Sequence, residues 1–155
     1  MAGLFPDSFG TNTITEKEVA ATNTTAAGYK KSVYFDFNTG DLLLDGAKKI
    51  IECTPFEAWV QWCQKTILTA RFKHNAYSTD IGIDTSDVIG SASREEVEDI
   101  LTSEISEALA ADPSGRTDYV ESIEYNWIQP DAVEAVVKVL GRNQTSATFT
   151  TTINL

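Results

Sequence analysis

Few side chains in this sequence are of the types that do chemistry in company. It holds one histidine, His74. A histidine-built metal cluster is therefore excluded, and a Ser-His-Asp or Cys-His triad would have to use that single residue. Lys73 and Asn75 flank it, which is the setting of a solvated helix end rather than an active-site loop. The two cysteines, Cys53 and Cys63, form no CxxC pair and read as free thiols of a reducing compartment. There is no Walker loop and no GxGxxG. Carboxylates are plentiful, so counting alone does not exclude a pair for glycoside hydrolysis. That mechanism needs one carboxyl with a raised pKa in an apolar cleft. Asp36, Asp41, Asp45, Glu95, Glu96, Glu98 and Asp99 fall instead in turns and on polar faces. The expectation is a chain without catalytic, cofactor-binding or metal-binding residues.

Charge is more informative. The 155 residues carry a net charge of −11. Phosphate-mediated nucleic-acid binding and adsorption to anionic membrane surfaces both need a basic patch, so neither is expected. The opening Met1-Ala2-Gly3-Leu4-Phe5-Pro6 lacks the basic and apolar regions of a signal peptide, and no apolar run approaches the roughly 20 residues of a membrane span. The imbalance is local. Between Asp80 and Glu124 stand thirteen acids and two bases, Arg94 and Arg116, and the remainder of the chain is neutral. That segment is either a solvated helix face or a docking face for a basic partner.

The elements that must position these residues follow from pattern. Residues 1–31 are rich in Thr, Ala, Asn and Gly and have little periodicity, so they read as an extended arm without a core. Its tip, Leu4-Phe5-Pro6 with Phe9, is either a frayed end or a peptide that docks on a neighbour. Residues 32–155 read as one domain. Ser32 to Phe37 alternates as a strand does, and the turn signals Asn38-Thr39-Gly40 and Asp45-Gly46 make the entrance a small β-meander. Thr54, Pro55 and Glu57 form a capping box with proline at the first helical position. Phe56, Trp59, Val60, Cys63, Ile67 and Ala70 then recur at helical spacing. Ser93 and Glu96 repeat the start signal before Val97, Ile100, Leu101, Ile105, Ala108 and Leu109, and Asp112-Pro113 with Gly115 stops that helix. Three strands close the chain: Glu121–Trp127, Val133–Val139 and Thr145–Leu155. The order β-β-α-α-β-β-β predicts an α+β domain, a small antiparallel or mixed sheet with both helices on one face.

The last strand stands apart. In its eleven residues there is no side-chain charge, proline or glycine. Ala147, Phe149, Thr151, Ile153 and Leu155 share one face; Ser146, Thr148, Thr150, Thr152 and Asn154 share the other. Exposed edges are usually blunted by lysine, proline or a bulge. This strand is therefore either central in its sheet or an edge that another chain covers by strand addition.

The middle of the chain resembles a known family. Ile67-Leu68-Thr69-Ala70-Arg71-Phe72-Lys73 followed by Tyr77-Ser78-Thr79-Asp80-Ile81-Gly82-Ile83 is similar to a segment of the baseplate wedge proteins, or sheath initiators, of contractile phage tails. The likeness is strongest to the branch of prophages and tail-like bacteriocins, which belongs to a lysozyme-like baseplate superfamily. Leu68-Thr69, Arg71, Tyr77-Ser78, Asp80 and Gly82 match the family pattern; Ala70 replaces a glutamate and Ile81 a tyrosine. The resemblance implies a structural, non-catalytic protein without cofactors. It further implies six copies around the hub, in a virion baseplate or tail-like particle assembled in the host cytoplasm. Implied partners are the sheath subunit, other baseplate wedge proteins and hub or tube-initiator proteins, with no nucleic acid and no membrane. Sheath subunits of such tails lend terminal strands to a neighbour's sheet, so Thr145, Thr148, Thr150, Thr152, Asn154 and Leu155 are the expected sheath contact. Leu4, Phe5, Pro6 and Phe9 are the expected docking arm. Arg71, Tyr77, Asp80 and Gly82 are expected as a structural motif, with Arg71 buried against backbone carbonyls or a carboxylate such as Asp80. A lysozyme-like cell-wall hydrolase and an unrelated acidic interaction module are the alternative readings.

Overall fold

The structure, a computed structural model, describes residues 30–91 and 93–155. The expected arm and its tip, Leu4, Phe5, Pro6 and Phe9, lie outside the described residues.

The entrance is a meander, but its ladders are shorter than the alternation predicts. Strands β1 (Ser32–Val33) and β4 (Glu52–Cys53) pair antiparallel, as do β2 (Phe35–Asp36) and β3 (Asp41–Leu42). Leu44 and Ile50 add a single bridge. Side chains take over where turns must be tight: Asp36 accepts from the Asn38 amide and Asp45 from the amides of Ala47 and Lys49. The meander is tied to the helix that follows. Tyr34 donates its hydroxyl to Glu57, and the Phe35 amide donates to Gln61.

Helix α1 (Pro55–Leu68) starts with the full capping box: the Glu57 amide donates to the Thr54 side chain and Glu57 accepts from the Thr54 amide. Burial pushes the Glu57 carboxyl up, but the Tyr34 and Thr54 hydrogen bonds outweigh it and leave it lowered; burial and the same bond raise Tyr34 to about 12. Ala70, expected on the helix face, lies past the helix end. It sits in a parallel bridge with Ile83. A 3-10 turn at Ser86–Val88 leads to α2 (Arg94–Ala110), where Ser93 accepts from the Glu96 amide as expected. Beyond α2, Asp112 accepts from Arg116 through both carboxylate oxygens, at 2.9 and 3.1 Å, and the guanidinium lies over the Trp62 ring.

The three closing strands form one antiparallel sheet in the order β5 (Thr117–Gln129), β6 (Ala132–Gly141), β7 (Ser146–Asn154). Val133, Ala135, Val137 and Val139 of β6 and Ala147, Phe149 and Ile153 of β7 turn to one face, where they meet Trp59, Val60, Cys63 and Ile67 of α1 and Leu101, Ile105 and Leu109 of α2. This is the α+β arrangement with both helices on one face. The register of β5 shifts between Val120 and Ser122, so that Val120 and then Ile123, Tyr125 and Trp127 all pack on the core. Trp59 is fully buried, and its indole donates to the Thr117 hydroxyl at 3.0 Å. Cys53 and Cys63 are both buried free thiols.

Two outcomes follow from this packing. Phe149→Ala opens a cavity under α1 and should cost about 3–5 kcal/mol, read as a lower urea midpoint at unchanged slope. Asp112 is enclosed; burial works to raise its pKa, but Arg116 and two backbone amides win and hold it lowered. A lowered carboxyl contributes stability that is present above its unfolded pKa of about 4 and is lost as pH falls through the folded value. Asp112→Asn should therefore flatten the loss of thermal stability on acidification below about pH 4.

Candidate functional site

The β7 strand lies at an edge of its sheet, with β6 on one side and no strand on the other among the described residues. Its register with β6 runs unbroken from Ala132↔Asn154 to Leu140↔Ser146. Antiparallel ladders alternate hydrogen-bonded and non-bonded pairs. The Gly141 amide donates to the Thr145 carbonyl and the Leu155 amide to the Asp131 carbonyl, both at 2.8 Å. These two bonds set the phase. Odd-numbered residues of β7 spend their backbone groups on β6, and Ser146, Thr148, Thr150, Thr152 and Asn154 turn theirs to the open edge. The side chains split likewise: Ala147, Phe149, Thr151 and Ile153 are buried, whereas Thr152 and Asn154 are exposed. The residues named from sequence thus fall together at one edge, although Thr145 and Leu155 point their backbone inward.

The opposite edge differs. The β5 strand carries Asp118, Glu121 and Glu124, and its pairing with β6 shifts register at three places. Charge and bulges are the devices that deter edge pairing. The β7 edge has neither.

The Arg71 motif is only partly as expected. Its side chain is 8% exposed, and Nε donates to the Gly82 carbonyl at 2.9 Å. The carboxylates that face it are Glu104 at 3.6 Å and Glu107 at 3.4 Å, both from α2, and not Asp80. Asp80 is exposed and bonds to Ser78. Tyr77, 39% exposed, lies against His74 with the Lys65 ammonium over its ring. Gly82 has φ +97°, and a Cβ there would stand 2.4 Å from the Thr69 carbonyl oxygen. Only glycine lets the chain pass so close. Arg71 and Gly82 form one knot; Tyr77 and Asp80 belong to the exposed loop beside it.

Where carboxylates are displaced, the displacement is downward. Glu57 and Asp112 are described above, and the Ser86 amide lowers Asp84. A general acid for glycoside hydrolysis needs the opposite. Among the described residues no group of His, Cys, Asp and Glu could hold a metal ion, and no helix is long and apolar enough to cross a membrane. Several acids of the 80–124 segment are paired within the fold: the part-buried Glu104 and the exposed Glu107 meet Arg71, the enclosed Asp112 meets Arg116, and Glu98 accepts from the Trp127 indole at 2.7 Å. Sequence reading missed these partners: those of Glu98, Glu104 and Glu107 depend on how α2 is turned, and that of Asp112 on the turn that follows α2.

An α+β domain that leaves one clean strand edge open is of the kind that assembles with other chains. Over residues 31–140 the sequence matches the family model described as the contractile injection system sheath initiator, and the chain belongs to that family. No curated protein matches it. Its role is accordingly structural and sheath-initiating, in a tail or tail-like particle, among sheath and baseplate components. The match ends before β7, so the open edge rests on the geometry above.

Two substitutions probe the knot. Arg71→Ala removes the donor to the Gly82 carbonyl and the counter-charge of the part-buried Glu104, and should cost about 3 kcal/mol in urea unfolding. Gly82→Ala forces the backbone away from Thr69 and should destabilise by about 1–3 kcal/mol.

Proposed function

We propose that this chain starts the sheath by accepting one or more strands from sheath subunits along the open edge of β7. The observation that carries the reading is the edge itself: nine residues in unbroken register, uncharged, with alternate backbone groups turned outward. An added strand satisfies those groups, and the outward side chains set which strand fits. The acids of the Asp80–Glu124 segment that stand on α2 and β5 lie at the β5 side of the sheet, where α2 packs. They are assigned to other wedge proteins and to hub or tube-initiator proteins, six copies surrounding the axis and joining the wedge to the first sheath ring. The tip residues Leu4, Phe5, Pro6 and Phe9 are assigned to a groove on a neighbouring subunit. Synthesis and assembly belong to the host cytoplasm.

Proline at position 150 or 152 removes an outward donor without removing a β6–β7 bond, and edge strands tolerate proline at such positions. Particles carrying Thr150→Pro or Thr152→Pro should show a baseplate and bare tube by electron microscopy. Normal sheaths on well-folded variants of both would discard the edge as the sheath contact. For the arm, amide exchange in residues 1–31 should be slower in the particle than in the isolated chain; equal rates would remove the docking assignment.

A further inference from the structure

The open edge does not end in featureless solvent. A cavity of about 220 Å³ is lined by Thr152, Ile153 and Asn154 together with Ile67, Ala70, Lys73 and neighbouring residues as far as Thr85. Consecutive side chains of a strand point to opposite faces. A cavity that touches three successive residues of β7 therefore wraps the strand's edge, and it is the open edge, since the β6 residues paired with them take no part in the lining. Its apolar floor is Ile67, Ala70, Ile83 and Ile153, and its rim is polar.

One flank of it carries Asp84, between the lining residues Ile83 and Thr85, and the other flank is basic. Residues 58–79 include Lys65, Arg71 and Lys73 and no acid at all, in a chain of net charge −11. Arg71 is spent on Gly82, Glu104 and Glu107, and Lys65 lies over Tyr77. Lys73 is exposed and makes no ion pair among the described residues. Leu68, 46% exposed, and Phe72, 65% exposed with φ +66°, extend the apolar surface beside it.

We infer that this cleft is the terminal pocket of the strand-acceptor edge: it takes one apolar side chain of the incoming sheath strand, and Lys73 pairs with a carboxylate next to it, from an acidic residue or a free C-terminus. The inference rests on the strand-addition reading and adds where the strand ends and what chemistry marks that end. A strand laid along Thr148, Thr150 and Thr152 runs directly into the cavity, so the two are continuous. The rim charge acts mainly on encounter and register, and the buried side chain on residence.

The test is binding of purified sheath subunit to the immobilised full-length chain. Thr85→Trp fills the cavity from a loop position whose side chain caps no helix. Lys73→Glu reverses the rim charge at an exposed site. Each should weaken binding about tenfold or more, the Lys73→Glu loss shrinking as salt is raised, at unchanged melting temperature. Restored binding of Lys73→Glu to a sheath subunit whose terminal acid is replaced by lysine would confirm the pair. Wild-type binding by both variants, with binding still abolished in Thr150→Pro, would overturn the pocket and leave strand addition standing. Wild-type binding by Thr150→Pro as well would overturn both.

Discussion

The guanidinium of Arg71 is held where three segments meet. It lies just past the end of α1, bonds the carbonyl of Gly82 at 2.9 Å, and faces Glu104 and Glu107 one turn apart on α2. Buried charge costs heavily unless it is paired and hydrogen-bonded. The geometry here meets most of that cost, with one terminal nitrogen of the guanidinium buried and unpaired. The knot fixes the exit of α1 against α2, and with it the Ala70–Ile83 bridge. Both Ala70 and Ile83 line the cleft at the end of β7, so the shape of that open edge depends on the Arg71 contact.

The sheet makes the next constraint. Three strands give one central strand and two edges, and one face suffices for both helices. The β5 edge is spoiled for pairing by its acids and register shifts, while β7 is kept regular. The asymmetry has a physical logic: a protein that offers both edges would polymerise with itself or accept partners on the wrong side. Blunting one edge leaves a single direction in which a sheet can grow.

How much of this could be read from the chain depended on the range of the interaction. The capping box at Thr54 and Glu57 is local and was fully legible, as was the stop at Asp112-Pro113. The alternation of β7 told which residues would be buried, yet not whether the strand was central or at an edge, because strand order is a property of the whole sheet. Burial of Arg71 could be inferred from its apolar surroundings. Its carboxylates could not: they sit more than thirty positions away, and Asp80, the near candidate, points into solvent instead. The entrance ladders are short because the chain changes partner at Tyr34, whose amide donates to the Ile51 carbonyl while its carbonyl accepts from the Leu43 amide; alternation signals β-propensity and not which strand each residue pairs with.

The phase of β7 has a further meaning. Odd positions answer to the core and to β6; even positions, from Ser146 to Asn154, answer outward through both backbone and side chain. Two demands that usually compete for the same residues are written on alternate letters of one short word. The outward letters can change to suit a different neighbour while the inward ones keep the fold, and the period of two forbids the demands from being exchanged by a slip of one residue. An edge arranged in this way can be fitted to a new neighbour without the fold being redesigned.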